Sequence, residues 1–205
     1  MGFLRSIFGP SKDEIWKQLS HEVSGRFSDG GWTKGSRVEV DHDQWTITLD
    51  TYTVSNGQHG STTYTRIRAP YVNKDQFYFT IYRKSIFSGL GKMLGMQDVE
   101  VGYRQFDDEF IIKGNNEEKL KALFANDGIR LLIQQQPKIH LTVKDDEGWF
   151  GSSFPDGVDE LYFQTVGLIK DVNVLKDLFF LFSEVLNQLC DIDSAYEDDP
   201  NVTLK

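Results

Sequence analysis

From residue 36 onward the apolar residues of this chain recur at every second position. Val38 and Val40 alternate with charged neighbours, and Trp45, Ile47 and Leu49 alternate with Thr46, Thr48 and Asp50. A period of two sends successive side chains to opposite faces, so these segments read as half-buried strands. Ser55-Asn-Gly-Gln-His-Gly60 has Asn-Gly at its centre, a strong hairpin signal. Strand pattern resumes from Thr62 to Ala69, stops at Pro70, and returns from Gln76 to Arg83. The prediction is an antiparallel meander of three or four strands.

Helical spacing brackets this region. Ser11-Lys-Asp-Glu14 is a capping box, and Ile15, Trp16, Leu19 and Val23 then share one helical face until Gly25. Downstream, residues 86–96 read as a glycine-softened helix or loop, and Phe110-Ile-Ile112 as a brief strand ending at Gly114. Glu117 to Phe124 and Asp127 to Gln135 read as helices, the second capped by Asn126 or Asp127. Ile139, Leu141 and Val143 alternate as a strand, and Leu161 to Ile169 gives another. The strongest helix follows, capped by Asp171 or Asn173, with Leu175, Leu178, Phe179, Phe182, Val185, Leu186 and Leu189 at three- and four-residue steps. Strands first, then mixed strands and helices, predict an α+β fold whose long amphipathic C-terminal helix packs on the sheet. The expected organisation is an N-terminal apolar arm (1–10), a capped helix plus meander (11–97), a second half of the same α+β domain (98–192) and an acidic tail (193–205).

Composition narrows the function. The 205 residues carry 31 acidic and 22 basic side chains, a net charge of −9, which argues against a nucleic-acid partner. A single cysteine, Cys190, removes disulfide frameworks and Cys-based zinc sites. Its acidic neighbours Asp191 and Asp193 raise a thiol pKa, so a buried, inert thiol is expected. The N-terminal cluster Phe3, Leu4, Ile7 and Phe8 is too short for a signal-peptide core, and Arg5 interrupts it. It is a candidate for weak membrane or partner contact, with cytoplasmic location, in part peripheral at the inner membrane face, as the expectation. Met-Gly-x-x-x-Ser at the start fits the myristoylation pattern, which acts only where the acylating enzyme exists.

Catalytic signatures are sparse. No Gly-x-Ser-x-Gly, Walker loop, His-Glu-x-x-His or Ser-x-x-Lys occurs. Gly89-x-Gly91-x-x-x-Gly95 has one residue too many for a dinucleotide loop, and Asp191-x-Asp193 lacks the rest of a calcium loop. His21, His42, His59 and His140 share no spacing. Asp41-His42-Asp43 is the most tempting cluster, because on a strand both carboxylates share a face and could hold a divalent cation given further ligands. The competing expectation is a solvated strand end, so neither a metal nor a cofactor is expected.

One surface pattern remains. With Trp45, Ile47, Leu49, Phe77, Phe79 and Ile81 inward, alternation puts Tyr78, Thr80 and Tyr82 on the opposite face. Ile67 and Ala69 inward put Tyr64, Arg66 and Arg68 outward, and Tyr52 joins them. Tyr and Arg are enriched at interaction hot spots, and two arginines suit an acidic partner. The alternative is that another element of the chain covers this face. Tyr64, Arg66, Arg68, Tyr78 and Tyr82 are the candidate binding residues.

Thr63-Tyr-Thr-Arg-Ile-Arg-Ala-Pro70, Phe79-Thr-Ile-Tyr-Arg83 and Gly95-Met-Gln-Asp-Val-Glu-Val-Gly102, leading into Phe106-Asp-Asp-Glu-Phe-Ile-Ile-Lys-Gly114, resemble an uncharacterised family of bacterial proteins. Asp159 to Phe163 and Ala195 to Pro200 share the likeness. The resemblance implies a bacterial, intracellular origin and carries no established activity, cofactor or catalytic residue. The expected function is a non-enzymatic binding module for a protein or a small anionic ligand. A carboxylate enzyme built on Asp41 and Asp43 and a structural homo-oligomer subunit are the alternatives.

Overall fold

Ser11 closes its capping box as the spacing requires: its hydroxyl accepts from the Glu14 N–H at 3.3 Å, and the Glu14 carboxylate accepts from the Ser11 N–H at 3.0 Å. Helix α1 (Lys12–Glu22) follows, burying Ile15, Trp16 and Leu19. A computed structural model describes residues 10–31, 35–55, 57, 60–86, 97–145 and 154–204. Phe3, Leu4, Ile7, Phe8, His59 and the Gly89–Gly95 loop lie outside the described residues.

The helix end differs from expectation in an informative way. The left-handed position is taken by Ser24 (φ 54°), not by Gly25. Gly25 instead lies against Glu39 and Val40, where an added Cβ would stand 2.7 Å from the Glu39 carbonyl oxygen and 2.8 Å from Val40 Cγ2. Gly25→Ala is therefore expected to cost about 1–3 kcal/mol, as overpacking does when the obstacle is backbone. A urea midpoint equal to the parent's would show that the loop yields.

The strands are β1 (Arg26–Ser28), β2 (Arg37–His42), β3 (Trp45–Ser55), β4 (Ser61–Asn73), β5 (Phe79–Arg83), β6 (Gln97–Asp98), β7 (Phe110–Gly114), β8 (His140–Lys144), β9 (Val158–Val166) and β10 (Ala195–Tyr196). They form one sheet of order β1-β2-β3-β4-β9-β8-β5-β7-β6, with β10 beside the end of β4. Among the described residues every ladder is antiparallel, and one parallel bridge joins Tyr64 to Gly167. The fold is α+β, with strands of both halves interleaved.

Two local expectations are corrected. β4 does not stop at Pro70 but runs to Asn73. The β3 register ends at Thr48↔Arg68, so no β3 residue is paired with Pro70, which faces Glu160 of β9. A proline is tolerated within a strand where a ladder has already parted. Second, β2 and β3 meet at His42↔Trp45, so Asp43 and Gln44 form the turn, with Asp43 at φ 50°.

The remaining α-helices among the described residues are α2 (Arg104–Glu109), α3 (Glu117–Leu123), α4 (Asp127–Gln135) and α5 (Val172–Asp191). Asn116, Asn126 and Asp171 cap the last three through their side chains. α5 buries Leu175, Leu178, Phe179, Leu181, Phe182, Val185, Leu186 and Leu189 against α1, α4 and one sheet face. That face supplies Val38, Ile47, Leu49, Ile67, Ala69, Leu161, Phe163, Leu141, Val143, Phe79, Ile81 and Ile112 to a single core. No helix among the described residues is long and apolar enough to cross a membrane. The acidic C-terminal segment is docked: Ser194 and Ala195 are buried, β10 pairs with β4, and Leu204 is 8% exposed.

Candidate functional site

The second sheet face is built by the alternate positions of the same strands, and it is polar. β3 contributes Thr48, Asp50 and Tyr52, β4 contributes Tyr64, Arg66 and Arg68, and β9 contributes Glu160, Tyr162 and Gln164. β8 adds His140, Thr142 and Lys144, and β5 adds Thr80 and Tyr82. Its centre is closed to solvent, with Arg68 at 1%, Glu160 at 0% and Tyr162 at 4% exposure.

Register explains the charge arrangement. Asp50 pairs with Arg66 across the β3–β4 ladder, and Arg68 is two residues along on the same face. Arg66 donates through Nε to Asp50 Oδ1 at 2.5 Å and through Nη2 to Oδ2 at 3.1 Å, while Arg68 Nη2 donates to Oδ2 at 2.5 Å. One carboxylate thus binds two guanidinium groups, a charge-assisted cluster stronger than neutral hydrogen bonds. Arg68 is wholly inside, and Arg66 is half-buried.

Toward the β3–β4 hairpin the face opens. Tyr52 and Tyr64 stack with centroids 5.0 Å apart and planes 11° apart, and the Arg66 guanidinium lies 5.0 Å from the Tyr52 centroid. The Tyr52 hydroxyl donates to Gln164 Oε1 at 2.6 Å, and the Tyr162 hydroxyl donates to the same oxygen at 3.0 Å. Burial raises the pKa of both phenols, so each remains a donor at neutral pH. Beside this stack Val54 is 42% exposed and Val166 60%.

The other two candidate tyrosines lie elsewhere. β9 and β8 stand between β4 and β5, so Tyr82 is separated from the arginines and instead meets His140 edge-on at 6.2 Å. Tyr78 donates to Asp159 Oδ1 at 3.3 Å, and burial together with the Asp159 charge pushes its pKa up to about 12. Sequence reasoning joined Tyr78 and Tyr82 to the arginines because it treated the meander as spatially consecutive. It missed Asp50, Tyr162 and Gln164, whose signal was their place on the polar side of alternating strands.

The Asp41–Asp43 pairing does not form. Asp41 is held by Arg26, which keeps its carboxyl below the usual range, and Thr46 Oγ1 donates to it at 3.0 Å. Asp43 sits in the turn beside His42, whose Nε2 is 3.1 Å from Asn187 Oδ1 on α5. Among the described residues no group of His, Cys, Asp and Glu is placed to hold a metal ion. Cys190 is half-buried, and burial followed by Glu197 and Asp191 raises its thiol pKa. At the β2–β3 end a cleft of about 190 Å³ runs under the C-terminal segment, between Glu39, Thr46 and Thr48 on one side and Asp199 and Thr203 on the other.

Comparison of the chain with protein-family models, curated proteins and solved structures finds no match.

Proposed function

We propose that this protein is a non-enzymatic binding module, and that the open end of its Tyr/Arg sheet face contacts a protein partner. The observation that carries this is the Tyr52–Tyr64 stack with Arg66 alongside it and exposed Val54 and Val166 at its rim. Paired aromatics and a guanidinium held in place offer large contact area at little ordering cost, which is the character of an interaction hot spot. Because Arg68 is closed to solvent and Arg66 is ion-paired with Asp50, the patch presents little accessible positive charge, which favours a protein surface over a small anion. Arg68 has a positioning role here: buried on Asp50, it helps fix the carboxylate that holds Arg66. The location that accords with this reading is the cytoplasm, with the N-terminal apolar arm adding weak membrane or partner contact.

The test is affinity capture from native lysate with the full chain beside a Tyr64→Ala, Arg66→Ala variant shown to be folded by circular dichroism. A partner retained by the parent and bound at least about tenfold more weakly by the variant is the expected result for hot-spot residues. Identical captures from both proteins would remove this surface from consideration.

A further inference from the structure

Residues 51–65 form a run of 15 without Asp, Glu, Lys or Arg, where the overall composition would place about four. Asp50 and Arg66 flank the run, face each other in the register and are ion-paired at its foot. Beyond them β3 and β4 continue as a two-stranded arm through Thr51↔Thr65, Tyr52↔Tyr64, Thr53↔Thr63, Val54↔Thr62 and Ser55↔Ser61. Charge from Asp, Glu, Lys and Arg is therefore confined to the base of the arm.

Among the described residues the outer edge of that arm is open. β2 pairs with β3 only as far as Leu49, and among the described residues β4 alone is paired with β3 from Tyr52 to Ser55. On that side Gly35 lies beside Thr51. A free strand edge recruits another strand through its unpaired N–H and C=O groups, and soluble proteins commonly blunt it with Lys, Pro or a bulge. Residues 51–55, Thr-Tyr-Thr-Val-Ser, contain no charge and no proline, and four of the five positions are Thr, Tyr or Val, all strong strand formers.

The edge is also self-complementary. Antiparallel pairing of two copies about Thr53 sets Thr53 on Thr53, and it sets Tyr52 of each copy opposite Val54 of the other. Tyr52 and Val54 lie on one face, so both aromatic–β-branched pairs fall together, a favourable cross-strand combination. Thr51 and Ser55 meet on the opposite face. Two copies each carrying −9 repel over most of their surfaces, so an uncharged edge is where they approach at least cost.

We propose that two copies of this chain associate edge to edge through β3, antiparallel about Thr53, to give a two-fold dimer with one sheet running through both. This inference shares Tyr52 and Val54 with the proposed partner-binding face but rests on the backbone edge of β3, and it is tested on the purified chain with no partner present. A strand pairing this short makes a weak dimer, and screening of the net charges strengthens it as salt is raised.

Sedimentation equilibrium of the full chain from about 1 μM to about 0.5 mM covers the affinity range of such an interface. The expected result is a concentration-dependent monomer–dimer equilibrium that tightens between about 0.05 M and about 0.5 M salt. Val54→Lys, at an exposed position, is expected to weaken the dimer at least tenfold while the circular dichroism spectrum stays unchanged. Thr53→Pro, which removes an N–H from the edge, is expected to do the same. A monomer throughout the range, or a dimer as tight in Val54→Lys as in the parent, overturns the proposal.

Discussion

Asp50→Asn is expected to lower the unfolding free energy by about 3 kcal/mol, because removing one partner from a buried ion pair typically costs about 3–5 and the amide keeps one acceptor. In a domain of this size that corresponds to a fall of about 6–12 °C in melting temperature. The reason is local: the carboxylate is bound by Arg66 and Arg68 together, and Asp50 and Arg68 are 8% and 1% exposed. A double-mutant cycle of Asp50→Asn with Arg66→Met is expected to show coupling above about 1 kcal/mol, as for residues sharing one network. Additive effects would mean that the ladder, and not the charge cluster, holds the face in register. The same variants bear on binding, since Asp50 holds the Arg66 guanidinium that lies beside Tyr52.

The second large effect is a pH dependence carried by His140. Burial, and then the nearby Lys144 charge, lower its pKa from 6.5 to about 4. Its Nε2 is buried with no hydrogen-bond partner among the described residues, so the fold holds the neutral ring. In the unfolded chain the imidazole takes up a proton near 6.5, and in the folded chain it does so only near 4. The contribution to stability is therefore full above pH 6.5 and is lost as pH falls from there toward about 4, to a total of about 3 kcal/mol. Denaturant midpoints between pH 7 and about 4.5 read this limb before most carboxylates titrate. His140→Gln is expected to flatten it; an unchanged slope in that variant would assign the acid sensitivity to other groups.

The placement of His140 shows how the two halves of the chain depend on one another. Its strand, β8, lies between β5 and β9, so it joins Tyr82 of β5 and Lys144 on a face that β3 and β4 begin. The outcome is a sheet whose helix-facing side is apolar and whose other side is a buried polar row from Asp50 to Tyr82. Such a row stabilises only when its members meet in the correct register, because a one-residue slip of any strand would turn its charges into the apolar core.

Much of the architecture was legible in the residues taken in order. The capping box at Ser11, the caps at Asn126 and Asp171, and the apolar spacing of Leu175 to Leu189 act within a few residues of chain. The same holds for the alternation of Val38 to Leu49 and for the hairpin that pairs Ser55 with Ser61. These features determine which segments become helices and strands, and which side of each is apolar. Tertiary structure alone decided the rest. Whether β4 lies beside β9 or β5, whether Arg66 meets Asp50, and whether Arg68 is buried are set by pairings across the whole chain. Period-two alternation says that a residue leaves the core face, but it carries no information about the neighbouring strand. For that reason the Tyr/Arg face was visible as a pattern, while its division into a buried ionic centre and an open Tyr52–Tyr64 end emerged only from long-range packing.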